Sequence, residues 1–542
     1  MKVYSSNIKL LAVDSDTVNL LLLEEALKGK DIDVECCSVG LEAAELIKKN
    51  SYDIVLLDIV MPDIDGFELR KLIRICDQYL PIIYLTAIID TVQNDLMEKI
   101  SEDRFTSYMK KPYDLSRLLE MIKKVAKNYR SEDKTRKYYT TLEENLELAA
   151  GVQSLLLPNW IKIEDNLTMS SLYRPAYKVS GDIFEMINIS PGRYFVLLGD
   201  IAGHGIQAAL YMSAIQSLVK LIISESKNIQ IDDVLNRLNS FFCVDMQKKN
   251  YMTCLAGIFD FNINKLQFIS AGHLSFFMHD GKSDGVELLN AENKGAIPVG
   301  WVENYKFDLK TEAVTIDFDD DSSFYAITDG LIEASTEDDR ILGVEKFSLL
   351  LEKSAAATIS PLVPYHVCDA IKKAGYTVIE DDVCMIMIKK NKCRKNEKTH
   401  LHLTAMPTVS DADILGIECE SFIIDRIGDE KLAVQLELLL NEFLNNILMH
   451  GLDKRLQEGP KILVDLVLHE EDVILKIWDK GKPWTFNTTP IAIDEEIWDD
   501  NNKLATAGRG MAIIKSIAAK IECQRYGDLN ETSFLIKREK KI

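Results

Sequence analysis

Gly199-Asp200-Ile201-Ala202-Gly203-His204-Gly205 is the stretch on which the reading of this chain turns. It closes a short apolar run, Tyr194 to Leu198, with an acid followed by closely spaced glycines. Three more acids occur in similar settings far off in sequence. Asp182 lies in Val179-Ser180-Gly181-Asp182, Asp329 in Ala326-Ile327-Thr328-Asp329-Gly330, and Asp381 opens Asp381-Asp382-Val383-Cys384. Each ends or follows an apolar run, which is where strands deliver acids to one edge of a sheet. A single Asp-Gly or Gly-Asp pair is ordinarily a turn; the weight lies on order and spacing. Convergent carboxylates are tolerable only when cations neutralise them, and hard cations such as Mg²⁺ and Mn²⁺ take oxygen ligands. Two such ions roughly 3.5–4 Å apart hold a hydroxide and clamp a phosphoryl group for in-line attack. The glycines after Asp200 give backbone carbonyls and waters room to approach the ions. The pattern implies a two-metal site for phosphate-ester hydrolysis.

Val152-Gln153-Ser154-Leu155-Leu156-Leu157-Pro158 precedes these motifs and Ala271-Gly272-His273 lies among them. With them, residues 150–390 resemble the metal-dependent PPM-type Ser/Thr phosphatases, in the SpoIIE/RsbU branch of bacterial stress and sporulation circuits. The resemblance implies a PPM-type α/β sandwich over 153–390. It also implies Asp182, Asp200, Asp329, Asp381 and the Ile201 carbonyl as ligands of two Mn²⁺ or Mg²⁺ ions. Ser180 replaces a usual glycine, Ala202 a usual serine and Cys384 a usual threonine, and Ser275-Phe276 stands where the family tends to show prolines. None of these departures removes a ligand.

A chain of 542 residues sets an expectation of about three or four domains. Its 47% hydrophobic and 27% charged residues are those of an ordinary globular protein. The net charge of −22 argues against nucleic acid, whose phosphates are bound by clustered Lys and Arg. No uninterrupted apolar stretch approaches the roughly 20 residues that cross a bilayer, and Met1-Lys2-Val3-Tyr4-Ser5-Ser6 lacks a signal-peptide pattern. The ten cysteines show no Cys-x-x-Cys spacing and read as reduced thiols of a cytoplasmic protein. His400 and His402 near Cys393 fit no zinc spacing.

Residues 8–128 alternate short apolar strands with amphipathic helices. The expected strands are Ile8–Val13, Val34–Val39, Ile54–Leu57, Ile82–Leu85 and Ser107–Met109. That alternation implies a doubly wound parallel sheet, with ligands at the carboxyl ends of its strands. The polar residues there are Asp14, Asp16, Asp58, Thr86 and Lys111. A phosphoacceptor aspartate needs a cation, a hydroxyl to sense the phosphoryl group and a lysine to pair with it. Leu56-Leu57-Asp58-Ile59-Val60-Met61-Pro62-Asp63, Thr86-Ala87 and Lys111-Pro112 together resemble a two-component response-regulator receiver of flavodoxin-like fold, bounded at 1–127. The resemblance implies phosphorylation of Asp58, a Thr86–Tyr108 switch pair, Lys111 on the phosphoryl group, and Mg²⁺ on Asp14, Asp16 and Asp58. It also implies a sensor histidine kinase as phosphodonor. Ser15 stands where the second residue of the usual acidic pair would be. Lys111-Pro112 is expected to be cis.

Residues 128–152 read as a helical linker with Leu142, Leu146, Ala149, Gln153 and Leu156 at three- and four-residue intervals. Such a narrow stripe suits a coiled-coil homodimer, the favoured reading, or a single helix packed on its own phosphatase domain. Residues 391–400 are polar and basic and read as a second linker.

In 401–542, the run Leu439 to Gly451 is helical, and Glu442, Asn446 and His450 recur every four residues, on one face. Downstream, the strand Val473–Trp478 delivers Asp479-Lys480-Gly481, and Gly508-Arg509-Gly510-Met511 precedes the helix Ala512–Lys520. An adenine pocket needs a buried acid for the exocyclic amine, an amide for Mg²⁺ and a glycine-rich helix start for phosphates. These three boxes resemble the GHKL (Bergerat) ATP-binding fold, an α/β sandwich, nearest the RsbW-like anti-sigma-factor serine kinases. The resemblance implies Asn446 on the Mg²⁺ of ATP, Asp479 reading adenine, and Gly481, Gly508 and Gly510 lining the nucleotide. Glu442 would be the general base that activates a protein serine.

Receiver, phosphatase and kinase on one chain imply a partner-switching regulator. The receiver would gate a phosphatase acting on a phosphorylated STAS-type anti-sigma antagonist. The C-terminal domain would rephosphorylate that antagonist, hold a sigma factor, or both. The rival reading is a sequestering protein whose ATP site is degenerate or structural.

Overall fold

The computed structural model describes residues 7–86, 103–164, 166–203, 205–246, 250–272, 275–282, 285–289, 296–391, 399–451, 460–484 and 509–538. They fall into two compact units, Met1–Asn145 and Leu146–Ile542.

In the first unit, β1 (Ile8–Val13), β2 (Ile32–Cys37), β3 (Ile54–Asp58), β4 (Ile82–Thr86) and β5 (Thr106–Lys110) form a parallel sheet in the order β2-β1-β3-β4-β5. The helices are α1 (Thr17–Leu27), α2 (Gly40–Lys49), α3 (Gly66–Cys76) and α4 (Leu115–Leu156). Successive strand residues point to opposite faces, so Leu11, Val55 and Tyr84 pack with α2 and α3. Leu10, Leu56 and Ile83 pack with α1 and with Leu118, Ile122 and Ala126 of α4. Burial on both faces is why these strands read as near-continuous apolar runs. The expected Val34–Val39 strand instead starts at Ile32, because Val39 takes an extended conformation as the N-cap of α2. The Lys111-Pro112 bond is cis.

The stretch expected at 128–152 as a helical linker lies within one longer helix, α4, which runs unbroken from Leu115 to Leu156. Its middle belongs to the first unit. The Tyr129 hydroxyl donates to Asp77 at 2.7 Å, and Arg130 donates to Asp53 at 2.9 and 2.6 Å. Its last turns belong to the second unit, where the Gln153 side chain is buried. Leu148, Val152 and Leu155 on the same turns are exposed.

The second unit begins with two antiparallel sheets. One joins β8 (Ile183–Ser190), β9 (Arg193–Ile201), β10 (Met252–Asp260), β11 (Lys265–Ala271) and β14 (Val314–Asp317) in the order β14-β11-β10-β9-β8. The other joins β6 (Ile161–Glu164), β7 (Leu167–Arg174), β12 (Phe276–His279), β13 (Glu287–Leu288), β15 (Ser323–Ile327) and β16 (Val383–Lys390) in the order β13-β12-β15-β16-β7-β6. Phe184, Leu198, Leu255, Phe259, Phe276, Phe324 and Ile386 fill the space between them. Helices α5 (Ile206–Glu225) and α6 (Ile231–Ser240) cover the outer face of the first sheet. After the short α7 (Leu309–Glu312), α8 (Val344–Ala357) and α9 (Val363–Lys373) cover the outer face of the second. Among the described residues α5 alone is long and apolar enough to cross a membrane; it buries Met212, Ile215, Val219 and Ile222 in the core.

The chain then forms β17 (His400–Ala405), α10 (Val409–Ile427), α11 (Glu430–Asn446), β18 (Ile462–Leu468), β19 (Asp472–Asp479), α12 (Arg509–Ile517), β20 (Lys520–Tyr526) and β21 (Leu529–Lys537). The antiparallel sheet runs β17-β18-β19-β21-β20, with the three helices on one face. Two readings shift here. Asn391 belongs to the phosphatase sandwich rather than a linker, since its amide donates to the Asn166 carbonyl and its side chain accepts from Thr168. A π-helical turn, Ile447–Gly451, follows Asn446; it breaks the four-residue register, so His450 leaves the face shared by Glu442 and Asn446 and is exposed.

Candidate functional site

Strand order brings the phosphatase-like acids to one rim. Asp182 directly precedes β8 and Asp200 is the next-to-last residue of β9, with Ile183 paired to Gly199. Asp329 opens a turn after β15 and Asp381 lies just before β16, with Ile327 paired to Met385. Asp182 is 1% exposed, and its Oδ2 accepts from the Thr328 hydroxyl at 2.9 Å. Burial, then the charge of Asp200, raises its pKa well above the carboxylate range. Burial, then Asp329, Asp381 and Asp382, pushes Asp200 up to about 7. Burial, then Asp381, raises Asp329. The charges acting on these groups are chiefly one another's. Convergent buried carboxylates of this kind are tolerable beside cations that neutralise them. The donor set fits Mn²⁺ or Mg²⁺. Among the described residues, no three His, Cys, Asp or Glu side chains close into a ligand cluster, so the acids face one another at charge–charge range.

The fifth expected ligand, the Ile201 carbonyl, sits at the end of β9. A Cβ on Gly181 would lie 3.1 Å from that oxygen, so glycine there keeps the carbonyl uncovered. Gly203 and Gly205 hold φ of +102° and +76°, the left-handed region that glycine alone enters freely. His204 and His273 lie outside the described residues.

Three supports of this rim went unread in the sequence. Asp382, 7% exposed, accepts from the Ala176 amide at 2.7 Å and the Gly181 amide at 2.9 Å, tying both loops to the residue after Asp381. Thr328 accepts from the Cys384 amide at 2.8 Å while bonding Asp182. Gln153 of α4 donates to the Ser180 carbonyl at 2.8 Å and accepts from its amide at 3.1 Å; the Ser180 hydroxyl accepts from the Asp182 amide at 3.0 Å. The Asp-Asp doublet was a usable signal. The other two depend on long-range pairing. A groove of roughly 620 Å³ opens beside Asp381, lined by Tyr177, Glu333, Val378 and Glu380.

In the first unit, Lys111 Nζ lies 2.8 Å from Asp14 Oδ2 and 2.9 Å from Asp58 Oδ2. One cation thus bridges the two acids that end β1 and β3. Asp16 is not drawn into this pair: it is exposed, and its carboxylate caps α1 by accepting from the Val18 amide at 2.9 Å. Tyr108 of β5 is part-exposed opposite Tyr84. Thr86 ends β4 opposite Lys110; its side chain lies outside the described set.

In the third sheet, Asp479 ends β19, 1% exposed. Its Oδ1 accepts from the Gly481 amide at 2.7 Å and from Asn530 Nδ2 at 3.0 Å, while its Oδ2 is buried without a hydrogen-bond partner. Burial raises its pKa, against the pull of Asn530. An orphaned buried acceptor is what a purine amine satisfies, so the residues fit ATP. Glu442 and Asn446 meet Gly510 at the start of α12: a Cβ there would lie 2.5 Å from Glu442 Oε2 and 3.7 Å from Asn446 Nδ2. Gly481 packs on the Gly451 carbonyl. Gly508 lies outside the described residues. Asn530 and Arg525, which both reach the Gly481 carbonyl, were missed because Asn530 meets Asp479 only through the β19–β21 register.

A family profile for stage II sporulation protein E (SpoIIE) matches residues 190–391. A response regulator receiver domain profile matches 10–123, and a histidine kinase-like ATPase domain profile matches 420–535. Phosphoserine phosphatase RsbP of Bacillus subtilis is 26% identical over 35% of this chain and 46% of its own length. Phosphoserine phosphatase RsbU of Bacillus subtilis is 22% identical over 58% of this chain and 88% of its own. The chain spans about half the length of several curated relatives it matches. A solved structure of the RsbU and RsbW domains of Rv1364c from Mycobacterium tuberculosis aligns with 18% identity and a TM-score of 0.38, over 70% of this chain and 94% of that one.

Proposed function

We propose, for a chain that joins a response regulator receiver domain, a SpoIIE-type phosphatase domain and a histidine kinase-like ATPase domain, that it is a receiver-controlled, metal-dependent phosphoserine protein phosphatase. Its substrate is the phosphoserine of a STAS-type anti-sigma antagonist, and its ATPase domain opposes the reaction as a serine kinase. The observation that carries the reading is the rim where adjoining strand ends gather Asp182, Asp200, Asp329 and Asp381, and where burial, then neighbouring acids, raises Asp182, Asp200 and Asp329.

Asp182, Asp200, Asp329, Asp381 and the Ile201 carbonyl would hold two Mn²⁺ or Mg²⁺ ions. When bound, such ions supply an activated water and neutralise the phosphoryl oxygens. The chain's own part is to fix that geometry. Thr328 orients Asp182, and Asp382 ties the Ala176 and Gly181 amides to the strand that carries Asp381. Hydrolysis then leaves serine and inorganic phosphate. In the receiver, Lys111 is placed to pair with a phosphoryl group on Asp58, donated by a sensor histidine kinase. The helix α4 is the covalent route from there to Gln153 and Ser180. In the ATPase domain, Asp479 would read adenine, Asn446 would hold the nucleotide's Mg²⁺, and Glu442 would take the proton of the antagonist's serine.

The test is Mn²⁺-dependent release of phosphate from a phosphoserine STAS protein by the full chain, with and without beryllofluoride. The expected result is hydrolysis whose rate shifts with beryllofluoride only while Asp58 is present. Undiminished hydrolysis by Asp182→Asn overturns the metal-site assignment.

A further inference from the structure

The third sheet carries helices on one face only, and the phosphatase domain covers part of the other. Leu463, Trp478 and Leu529 of the ATPase domain share one buried cluster with Trp160, Ile161, Tyr365 and Val383 of the phosphatase. Polar contacts fix the register of this packing. Trp160 Nε1 donates to the Lys461 carbonyl at 2.7 Å, and the His366 ring stacks on Tyr526 with centroids 4.5 Å apart. Such a contact fixes one arrangement rather than a range of them, because aromatic packing and a directed hydrogen bond must be satisfied together.

Lys480 is the centre of this contact, and it lies between Asp479 and Gly481. Its side chain is 16% exposed, with Nζ 3.0 Å from Asp528 Oδ2. The ammonium sits 5.8 Å from the ring centroid of Trp160 and 5.4 Å from that of Tyr365. Burial works against its charge, but Tyr365 and Asp528 raise its pKa above the ordinary lysine value. A mostly buried lysine held by a part-exposed acid and two aromatic rings gives up both the ion pair and the ring contacts if it moves. Its backbone is therefore fixed by phosphatase side chains, and with it the turn that aims the unpartnered Oδ2 of Asp479.

The same contact reaches back toward the carboxylate rim. The Tyr365 hydroxyl donates to the Ser171 carbonyl of β7 at 2.9 Å. Arg174, the last residue of β7, lies against Gly527, where any Cβ would overlap its guanidinium. Arg174 pairs with Val383 in the sheet, and two residues on, the Ala176 amide donates to Asp382. The strand β7 thus meets the nucleotide-binding domain through Arg174 at its end, and two residues further on the Ala176 amide holds the residue next to Asp381.

We propose that Trp160 and Tyr365 of the phosphatase domain are positioning residues for the nucleotide site, and that ATP occupancy and metal binding at the phosphatase rim are energetically coupled through Lys480 and β7. This rests on the reading of the third domain as an ATP-binding domain. Coupling between two binding sites is reciprocal: the factor by which ATP changes Mn²⁺ affinity equals the factor by which Mn²⁺ changes ATP affinity. The phosphatase would in this way respond to ATP as a ligand, independently of any phosphate transfer.

The experiment uses the full chain. Affinity for Mg²⁺-ATP is measured by calorimetry, and Mn²⁺ half-saturation by titration with and without ATP at fixed Mg²⁺. Wild type is compared with Trp160→Leu, Trp160→Phe, Tyr365→Leu, the charge-free pair Lys480→Met/Asp528→Asn, and Asp479→Asn. The expected result is a shift of about fivefold or more in Mn²⁺ half-saturation on ATP addition to wild type. Trp160→Leu, Tyr365→Leu and the charge-free pair abolish that shift and weaken ATP, and Trp160→Phe restores part of both. If Trp160→Leu fails to give a cooperative melt, the charge-free pair carries the test, because it leaves the phosphatase sequence intact. ATP binding that is lost in Asp479→Asn but unchanged in the Trp160, Tyr365 and charge-free variants, with Mn²⁺ half-saturation indifferent to ATP, overturns the coupling and leaves the ATP reading standing. No ATP binding by wild type overturns both. Binding lost in Asp479→Asn alone restricts the site to its own domain and also overturns the proposal.

Discussion

The receiver and the phosphatase each gather acids at strand ends, and they resolve the resulting repulsion differently. In the receiver, Asp14 and Asp58 share the Lys111 ammonium within 2.9 Å. In the phosphatase, Asp182, Asp200 and Asp329 are pushed upward by burial and by neighbouring acids. The receiver rim carries its counter-charge in the sequence; the phosphatase rim must import it. On the proposed reading, the first site would accept one phosphoryl group and hold it, and the second would turn over many with bound cations supplying the counter-charge.

The largest effect that bears on this contrast is the loss of an acid from each rim. Asp182→Asn or Asp200→Asn is expected to lower phosphoserine hydrolysis by about 10²–10³-fold, the scale on which a transition-state charge stabiliser acts. Asp14→Asn is expected to leave hydrolysis without beryllofluoride near wild type and to weaken only the response to it. Steady-state phosphate release reads both. The contrast breaks if Asp14→Asn stops basal turnover or if Asp200→Asn spares it.

The next effect is on pH. Burial, then Asp329, Asp381 and Asp382, pushes the Asp200 carboxyl up to about 7 in the folded chain, against roughly 3.9 when unfolded. A carboxyl raised by folding keeps its proton where the unfolded chain has lost it, so the metal-free protein loses stability as pH rises between those two values. A cation must displace that proton. Mn²⁺ affinity is therefore expected to climb by about tenfold per pH unit below 7 for each proton displaced, and to flatten above it. Calorimetry in buffers of different ionisation enthalpy counts the proton directly. At least one proton released per binding event at pH 6, falling toward none at pH 8, is the expected result; a pH-independent affinity sinks it.

How much of this was legible beforehand follows from which interactions are local. Strand-end acids announce themselves because an apolar run and the acid that closes it are neighbours in sequence, as with Tyr194 to Asp200. Alternation likewise exposed the parallel sheet of the first unit, though not the order β2-β1-β3-β4-β5 in which its strands lie. Long-range register was not readable. Asn530 reaches Asp479 only because β19 and β21 pair residue for residue, and Thr328 reaches Asp182 across two sheets. The polar stretch after Ala126 read as helical, and Tyr129 and Arg130 pack it on the first unit. A local count went wrong elsewhere. His450 was placed on the face of Asn446 by counting in fours, and the π-helical turn at Ile447 changed the count. Asp16, expected from the resemblance as a metal ligand, has its carboxylate capping α1.

Supports around the phosphatase ions come next in size. Asp382→Asn keeps the shape but replaces one acceptor with a donor facing the Ala176 or Gly181 amide. Thr328→Val removes the hydroxyl from Asp182. Groups that orient metal ligands typically contribute 10–100-fold in affinity, so Mn²⁺ half-saturation is expected to rise by about that factor in each variant. Turnover at saturating Mn²⁺ should fall much less. An equal loss at every Mn²⁺ concentration would instead place these residues in the chemistry.

The smallest effect belongs to the end of α4, and it tests whether the two rims are connected at all. Gln153 makes both hydrogen bonds that the Ser180 peptide can offer, and the Ser180 hydroxyl holds the Asp182 amide. Gln153→Met keeps volume and helix propensity while deleting both bonds, and net hydrogen bonds of this kind contribute about 0.5–1.5 kcal/mol each. Only part of that reaches Asp182, so Mn²⁺ half-saturation is expected to rise about two- to tenfold, less than for Asp382→Asn. The informative readout is the beryllofluoride response. If α4 carries the signal, Gln153→Met turns over at saturating Mn²⁺ but no longer distinguishes the beryllofluoride state from the free one. A variant that keeps its full response would show that the receiver acts on the rim by some route other than the last turn of this helix.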